Sequence, residues 1–348
     1  MAKSVERAGG AERVNIALFD SSTLIGKGVK RHLTRRRFPV GEVRLFDTGA
    51  VEEGGNLGEF GGEPLLAVRP DLDEMERIDL AFWCGRAGSG KDFLDWPGRG
   101  NFVAIDLTRS ANVMPSAPLV NASVNPAAVK RHEGVLASPH PVSQFLSTVL
   151  APLARSVPLA EVVSVVLQPV SEEGEQGIEE LYRQTVGLLN FSEVPRDLFG
   201  RVLAFNVVPA SLVPGEGPRD DRLSWEVATI LNDHSFAHGL KVLHVPVFHC
   251  HASVSRLRFR QELSTEAIRK ALAQEPTIRI REGAGGATPA ELAGEDHIVL
   301  GEIRPDPSAP GCFWLWGITD NLATGASLNA VRIAEELVSS GSLKRRKS

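Results

Sequence analysis

Along the first third of the chain, short unbroken apolar runs alternate with stretches of helical spacing. Val14-Asn15-Ile16-Ala17-Leu18-Phe19 reads as a buried strand, Asp20-Ser21-Ser22-Thr23 as a polar turn able to cap a helix, and Gly26 to Leu33 as that helix. Glu42-Val43-Arg44-Leu45-Phe46 resumes as a strand, and Leu80-Ala81-Phe82-Trp83 and Phe102-Val103-Ala104-Ile105 add two more. This alternation predicts an α/β fold built on a doubly wound parallel sheet. After Pro139 the pattern changes. A helix from Val142 to Leu153, a strand from Val162 to Leu167 and a helix from Ile178 to Leu189 precede a strand-rich stretch. Its strands are expected at Lys241 to Leu243 continuing through Val245-Pro246-Val247-Phe248, at Ser255 to Phe259, at Thr277 to Ile280 and at Cys312 to Ile318. Few crossover helices separate them, which predicts an α+β second domain with a mixed or antiparallel sheet. A last helix, Ala326 to Leu337, is free to pack on either domain.

Composition narrows the picture. The 348 residues are 43% apolar and 23% charged, which excludes wholesale disorder and fits two domains. A net charge of -5 argues against nucleic acid as a partner. No apolar run is long enough to cross a membrane and the N-terminus has no hydrophobic signal core, so a soluble, cytoplasmic protein is expected. The three cysteines, Cys84, Cys250 and Cys312, lie too far apart to form a disulfide framework.

Trp316-Gly317-Ile318-Thr319-Asp320-Asn321-Leu322-Ala323-Thr324-Gly325-Ala326-Ser327-Leu328-Asn329-Ala330-Val331 resembles the signature W-x-x-x-D-N-L-x-x-G-A-x-x-N-A-V of aspartate-semialdehyde dehydrogenases. Three further segments fall in that family's order: Asp106 with Pro118 to Val120 and Asn125, Leu203 to Asn206 with Pro209, and Val245 to Val247 with Cys250-His251. The resemblance implies a Rossmann-like dinucleotide-binding domain over residues 13–140, completed by a C-terminal helix at 322–340. It implies an α+β catalytic and dimerisation domain over 141–321, with tails at 1–12 and 341–348. It also implies a homodimer, NADP as cofactor, and amino-acid biosynthesis through reduction of an acyl phosphate by way of a cysteine thioester.

The site residues depart from the pattern. Where the family reads N-P-N-C-S-T, this chain reads Ser138-Pro139-His140-Pro141-Val142-Ser143, so Pro141, without a nucleophile, stands at the cysteine position. Gln168 and His251 hold the inherited catalytic positions. Substrate-binding positions fall on Asn112, Arg222 and His244, two of which replace arginines and lack the guanidinium fork. Ser171-Glu172-Glu173-Gly174 stands where the family continues S-G-A-G. Cofactor-binding positions fall on Ser21, Ser22, Thr23, Gly26 and Asn321. The turn from Asp20 to Gly26 has lost two of three glycines and gained a carboxylate, so NADP is expected to bind weakly. These losses resemble the Usg-type branch of the family, whose members lack the active cysteine.

The expectation is therefore a catalytically degenerate homologue retained as a dimeric binding or assembly protein, with a small anionic ligand conceivable. The alternatives are an active NADP-dependent dehydrogenase using a different thiol, and a metal-dependent enzyme using His140, His244 and His251. Parity along the strand turns Cys250 away from His251. Glu172, Glu173 and Glu175 read as a solvated helix start, and Arg256, Arg258 and Arg260 as a solvated sheet face. Trp314 and Trp316 read as core or dimer-interface residues.

Overall fold

The computed structural model describes residues 13–112, 114–157, 159–214, 220–283 and 286–343; the expected tail at 1–12 and most of that at 341–348 lie outside them. The first sheet contains β1 (Val14–Phe19), β2 (Val40–Phe46), β3 (Asn56–Phe60), β4 (Glu63–Val68), β5 (Leu80–Trp83), β6 (Val103–Asp106) and β7 (Val135–Ala137). Their order is β3-β4-β2-β1-β5-β6-β7, parallel throughout except for the β3–β4 hairpin at the edge. Helix α1 (Leu24–Arg35) follows β1 and a short α2 (Trp96–Gly100) follows β5. Both faces of the central strands are covered, so β5 is a continuous apolar run and β1 and β6 are apolar except for Asn15 and Asp106, whereas the edge strands β3 and β4 expose Leu57 and Leu66.

The second sheet begins after α3 (Pro141–Ser156) with β8 (Leu159–Gln168). Then follow α4 (Gly174–Leu189), β9 (Val208–Pro209), α5 (Asp220–Leu231), β10 (Ala237–His244), β11 (His251–Phe259), α6 (Thr265–Leu272), β12 (Ile278–Ile280), α7 (Pro289–Leu292), β13 (Ile298–Pro305) and β14 (Cys312–Thr319). The order is β12-β13-β14-β11-β8-β10-β9, a mixed sheet with β8 parallel to β10 and antiparallel to β11. Val162, Val166, Leu240, Val242, Leu257 and Leu315 face α3, α5 and α6 and form one core with Phe145, Leu146, Val149 and Val227. Each such side chain contributes about 1.5–3 kcal/mol by leaving water. The opposite face stays open at Val163 and Val254.

The chain then returns to the first sheet through a π-helical segment, Asn321–Leu328, and α8 (Asn329–Ser339). Val331, Ile333, Ala334 and Leu337 join Val14, Ile16, Val29 and Leu33 in one core, so the last helix packs on the first sheet. Gly28 makes this possible: a Cβ there would lie 2.5 Å from Ser327 Oγ, where α1 crosses the π segment. Among the described residues, no helix is long and apolar enough to cross a membrane.

One expected strand is absent. Val245-Pro246-Val247-Phe248 lies outside β10, because Pro246 has no N–H to continue a ladder. Instead the Val170 and Ser171 N–H groups donate to the Val247 and Phe248 carbonyls, anchoring the turn that carries Glu172.

Candidate active site

Four strands bring their polar ends together. His244 pairs with Gln168 across β10 and β8, and His251 pairs with Thr319 across β11 and β14. Ala252 pairs with Leu167, so one further step of that antiparallel register sets His251 beside Gln168. Directly paired residues share a face. Thr319, His251, Gln168 and His244 therefore form one row across the sheet, on the side that carries the helices. All four are buried. Thr319 Oγ1, both ring nitrogens of His251, both amide atoms of Gln168 and His244 Nδ1 have no hydrogen-bond partner among the described residues. Buried polar atoms are ordinarily satisfied, so this concentration sets the row apart from the rest of the core.

Helix α3 starts beside the row. His140 caps it: its Nδ1 accepts the Val142 N–H at 3.1 Å, and Pro141 occupies the first helical position. That bond fixes the tautomer of the neutral ring. With Nδ1 accepting, Nε2 carries the proton and has no lone pair for a metal. The His140 and His251 ring centroids lie 6.4 Å apart. His140, His244 and His251 do not form a set of donor atoms within 4.8 Å of one another; among the described residues, only Glu295, Asp296 and His297 do. The imidazole-only metal site considered from sequence is therefore not assembled.

Glu172 overturns the expectation of a solvated helix start. Its side chain is only 6% exposed and it sits among donors. Oε1 lies 3.4 Å from both Arg109 Nη1 and His140 Nε2; Oε2 lies 3.8 Å from His251 Nε2 and accepts from Asn321 Nδ2 at 3.4 Å. Burial pushes the carboxyl up to about 7 despite Arg109. Burial also pushes His251 down to about 3 and His244 to about 4, and holds His140 well below its usual value, so the imidazoles are neutral. Glu173 is partly exposed, and Glu175 is exposed and paired with Lys27 at 2.7 Å.

The residues read from sequence as substrate-binding separate. Asn112 donates to Glu226 Oε1 at 2.8 Å, and Arg222 Nε lies 3.6 Å from the same oxygen. The His140 N–H donates to Glu226 Oε2 at 3.0 Å. Both Asn112 and Arg222 thus meet at a buried carboxylate that sequence reasoning passed over. His244 lies in the polar row with its ring edge-on to Phe199.

A cavity of about 480 Å³ runs between the sheets, lined among others by Thr23, Arg86, Arg109, Pro141, Glu172 and Asn321. Of the cofactor positions, Thr23 and Asn321 reach it and Ser21, Ser22 and Gly26 do not. Asn321 ties the wall together: its Oδ1 accepts from Ser171 Oγ and the Cys250 N–H, each at 3.2 Å. Thr23 caps α1 by accepting the Gly26 N–H at 3.1 Å. Gly26 itself must be glycine, since a Cβ would lie 2.6 Å from Ser21 Cα. Asp20 has a φ of 53°, and its carboxylate turns to the Thr48 N–H at 2.8 Å and hydroxyl at 2.9 Å.

The thiols stay out of this chemistry. Cys250 packs with Ala252, Val299 and Ile318 on the far face from His251, and burial pushes its thiol up to about 12. Cys84 lies in the core of the first sheet with its thiol pushed up by burial, and Cys312 opens β14 beside Arg258, seven register steps from His251 along β11.

Comparison with known proteins places this arrangement. Residues 150–324 match the model of the semialdehyde dehydrogenase dimerisation domain. Aspartate-semialdehyde dehydrogenase 2 of Vibrio cholerae is 28% identical over 334 residues, covering 94% of this chain and 98% of that protein. The enzyme of Prochlorococcus marinus is also 28% identical, over 93% and 96%. The crystal structure of aspartate semialdehyde dehydrogenase II from Vibrio cholerae superposes with a TM-score of 0.85, covering 94% of this chain and 99% of that one. The chain belongs to the semialdehyde dehydrogenase family, and the relatives it matches are aspartate-semialdehyde dehydrogenases.

Proposed function

We propose that this chain is a family member without thioester reduction, of the Usg type, acting as a dimeric protein that holds a small ligand in the cavity between its sheets. The observation that carries the reading is Pro141. It lines the cavity at the position where the family pattern has its nucleophile, and a proline offers none. The burial of Cys250 and Cys84 away from the polar row supports it, as does the engagement of Asn112 with Glu226.

A relative from Candida albicans has been solved with NADP. The turn after β1 does not fit a pyrophosphate well. Thr23 already takes the Gly26 N–H of the first helical turn, and the Asp20 carboxylate is buried beside Gly85, 2.3 Å from where a Cβ would lie. For the homodimer, the exposed Val163 and Val254 on the open face of the second sheet provide an apolar patch.

Pro141→Cys tests the reading. Restoring the thiol alone should give no phosphate-dependent oxidation of aspartate semialdehyde, because neutral Asn112 and His244 leave the substrate anions without charge-assisted bonds worth about 1.5–3 kcal/mol each. A Pro141→Cys enzyme that turns over would mean the rest of the dehydrogenase site is intact. For assembly, sedimentation should give a dimer; a clean 37.5 kDa monomer at micromolar concentration would contradict it.

A further inference from the structure

Pro141 takes the nucleophile's position in the cavity wall, and a carboxylate lies on the same wall. Glu172 stands where the family pattern has a glycine, on the turn after β8, and lines the same cavity as Pro141. Its two oxygens face three donors and the open ring of His251: Arg109 and His140 at 3.4 Å, Asn321 at 3.4 Å, and His251 at 3.8 Å. Behind it lie Gln168 and His251, whose polar atoms are all without partners among the described residues. Arg109 sits at a φ of 66°, a strained backbone for a non-glycine residue, of the kind that gathers at working sites.

From this geometry we propose that Glu172 is a general base that activates a water molecule in the place of the missing thiol, so that the cavity hydrolyses small uncharged acyl compounds of the ester class. Glu172 takes a proton from water as the water oxygen bonds to the acyl carbon. The tetrahedral adduct then collapses, the bond to the leaving alcohol oxygen breaks, and that oxygen recovers the proton from Glu172. Acid and alcohol are the products, water is the one co-reactant, and nothing is oxidised or reduced. The Asn321 side-chain amide, which lines the same cavity and already gives one N–H to Glu172, is the donor available to the acyl oxygen as it gains charge.

Two features support the roles. A carboxyl held near 7 is half ionised at neutral pH, the range in which a general base works best. The ester class follows from the groups around Glu172: Arg109 already faces its carboxylate, Arg222 faces Glu226 and the imidazoles are neutral, while the other lining arginine, Arg86, is exposed to solvent. The inference rests on the reading that thioester reduction is absent.

The test uses the full chain with p-nitrophenyl acetate as the probe and acetyl phosphate as its charged counterpart. Release of p-nitrophenol should exceed the buffer rate at least tenfold and rise with pH through about 7. Glu172→Gln should lose at least tenfold and flatten the pH profile, while Glu172→Asp, which keeps the base, should recover part of the rate and so separates chemistry from misfolding. Equal rates in wild type and Glu172→Gln, or no rate above buffer, would overturn the proposal. Preferential hydrolysis of acetyl phosphate would overturn the ester class. Phosphate-dependent reduction of NADP by the same protein when supplied with aspartate semialdehyde would instead overturn the thioester-free reading; its absence together with inert esters would sink this inference alone.

Discussion

Two polar regions, the turn after β1 and the buried row at the end of the second sheet, are finished differently. In the turn after β1, the protein's own groups pair with one another: Thr23 with the Gly26 N–H and Asp20 with Thr48. At the end of the second sheet, Gln168, His251, His244 and Thr319 keep polar atoms that nothing in the chain satisfies. A self-satisfied turn loses little when no ligand arrives, whereas an unsatisfied buried row is stabilised by one. The contrast sets the second region apart as the one with unused hydrogen-bonding capacity, although a family resemblance alone would have pointed equally to the first.

The largest test of that contrast is the pH dependence of stability. Glu172 titrates at about 7 in the folded chain against 4.5 as its ordinary value, so between these pH values the folded state holds a proton that the unfolded state has released. Stability should therefore be greatest from this group below pH 4.5 and should fall as pH rises to 7, by roughly 3 kcal/mol at most. Glu172→Gln should remove that slope, read as the difference between the two denaturation profiles; parallel profiles would show the carboxyl is not buried. His251 runs the other way. Its folded value near 3 lies below the ordinary 6.5, so its contribution is lost as pH falls from 6.5 to 3, and the two groups must be separated by variant.

Next in size is Glu226→Ala. Removing this acceptor strands the Asn112 amide and the His140 N–H in a buried setting, at a cost of about 2 kcal/mol or more, visible as a lower denaturation midpoint. An unchanged midpoint would mean that water replaces the carboxylate.

Smaller still is the effect expected at the turn. NAD and NADP should bind more weakly than submillimolar by calorimetry, and the double variant Asp20→Gly, Thr23→Gly should strengthen NADP binding about tenfold, or 1.4 kcal/mol. Micromolar binding by the unaltered chain would erase the distinction between the two regions.

Much of this contrast was legible in the sequence, and the gaps have physical causes. Buried strands announce themselves as apolar runs, so β1, β5, β6 and β8 were readable, and Pro141 stood out against a motif. The helix α5 shows its core face only as Leu223, Glu226, Val227 and Ile230, and the glutamate in that stripe breaks the apolar pattern that would reveal it. Glu172 read as solvated because charge on a helix start ordinarily is. Its burial follows from Val247 and Phe248 clasping the turn, and from Arg109, Asn321 and His140 arriving from distant parts of the chain. Cys250 does pack away from His251, but not through strand parity: it precedes β11 with a φ of 73°, outside the alternation of the strand.

The central claim is that this site no longer works through a thiol. The direct measurement is phosphate-dependent reduction of NADP with aspartate semialdehyde, on the purified chain and on Cys84→Ser and Cys250→Ser. The account predicts no rate above background in any of the three. A rate in the unaltered chain that either cysteine substitution abolishes would contradict it.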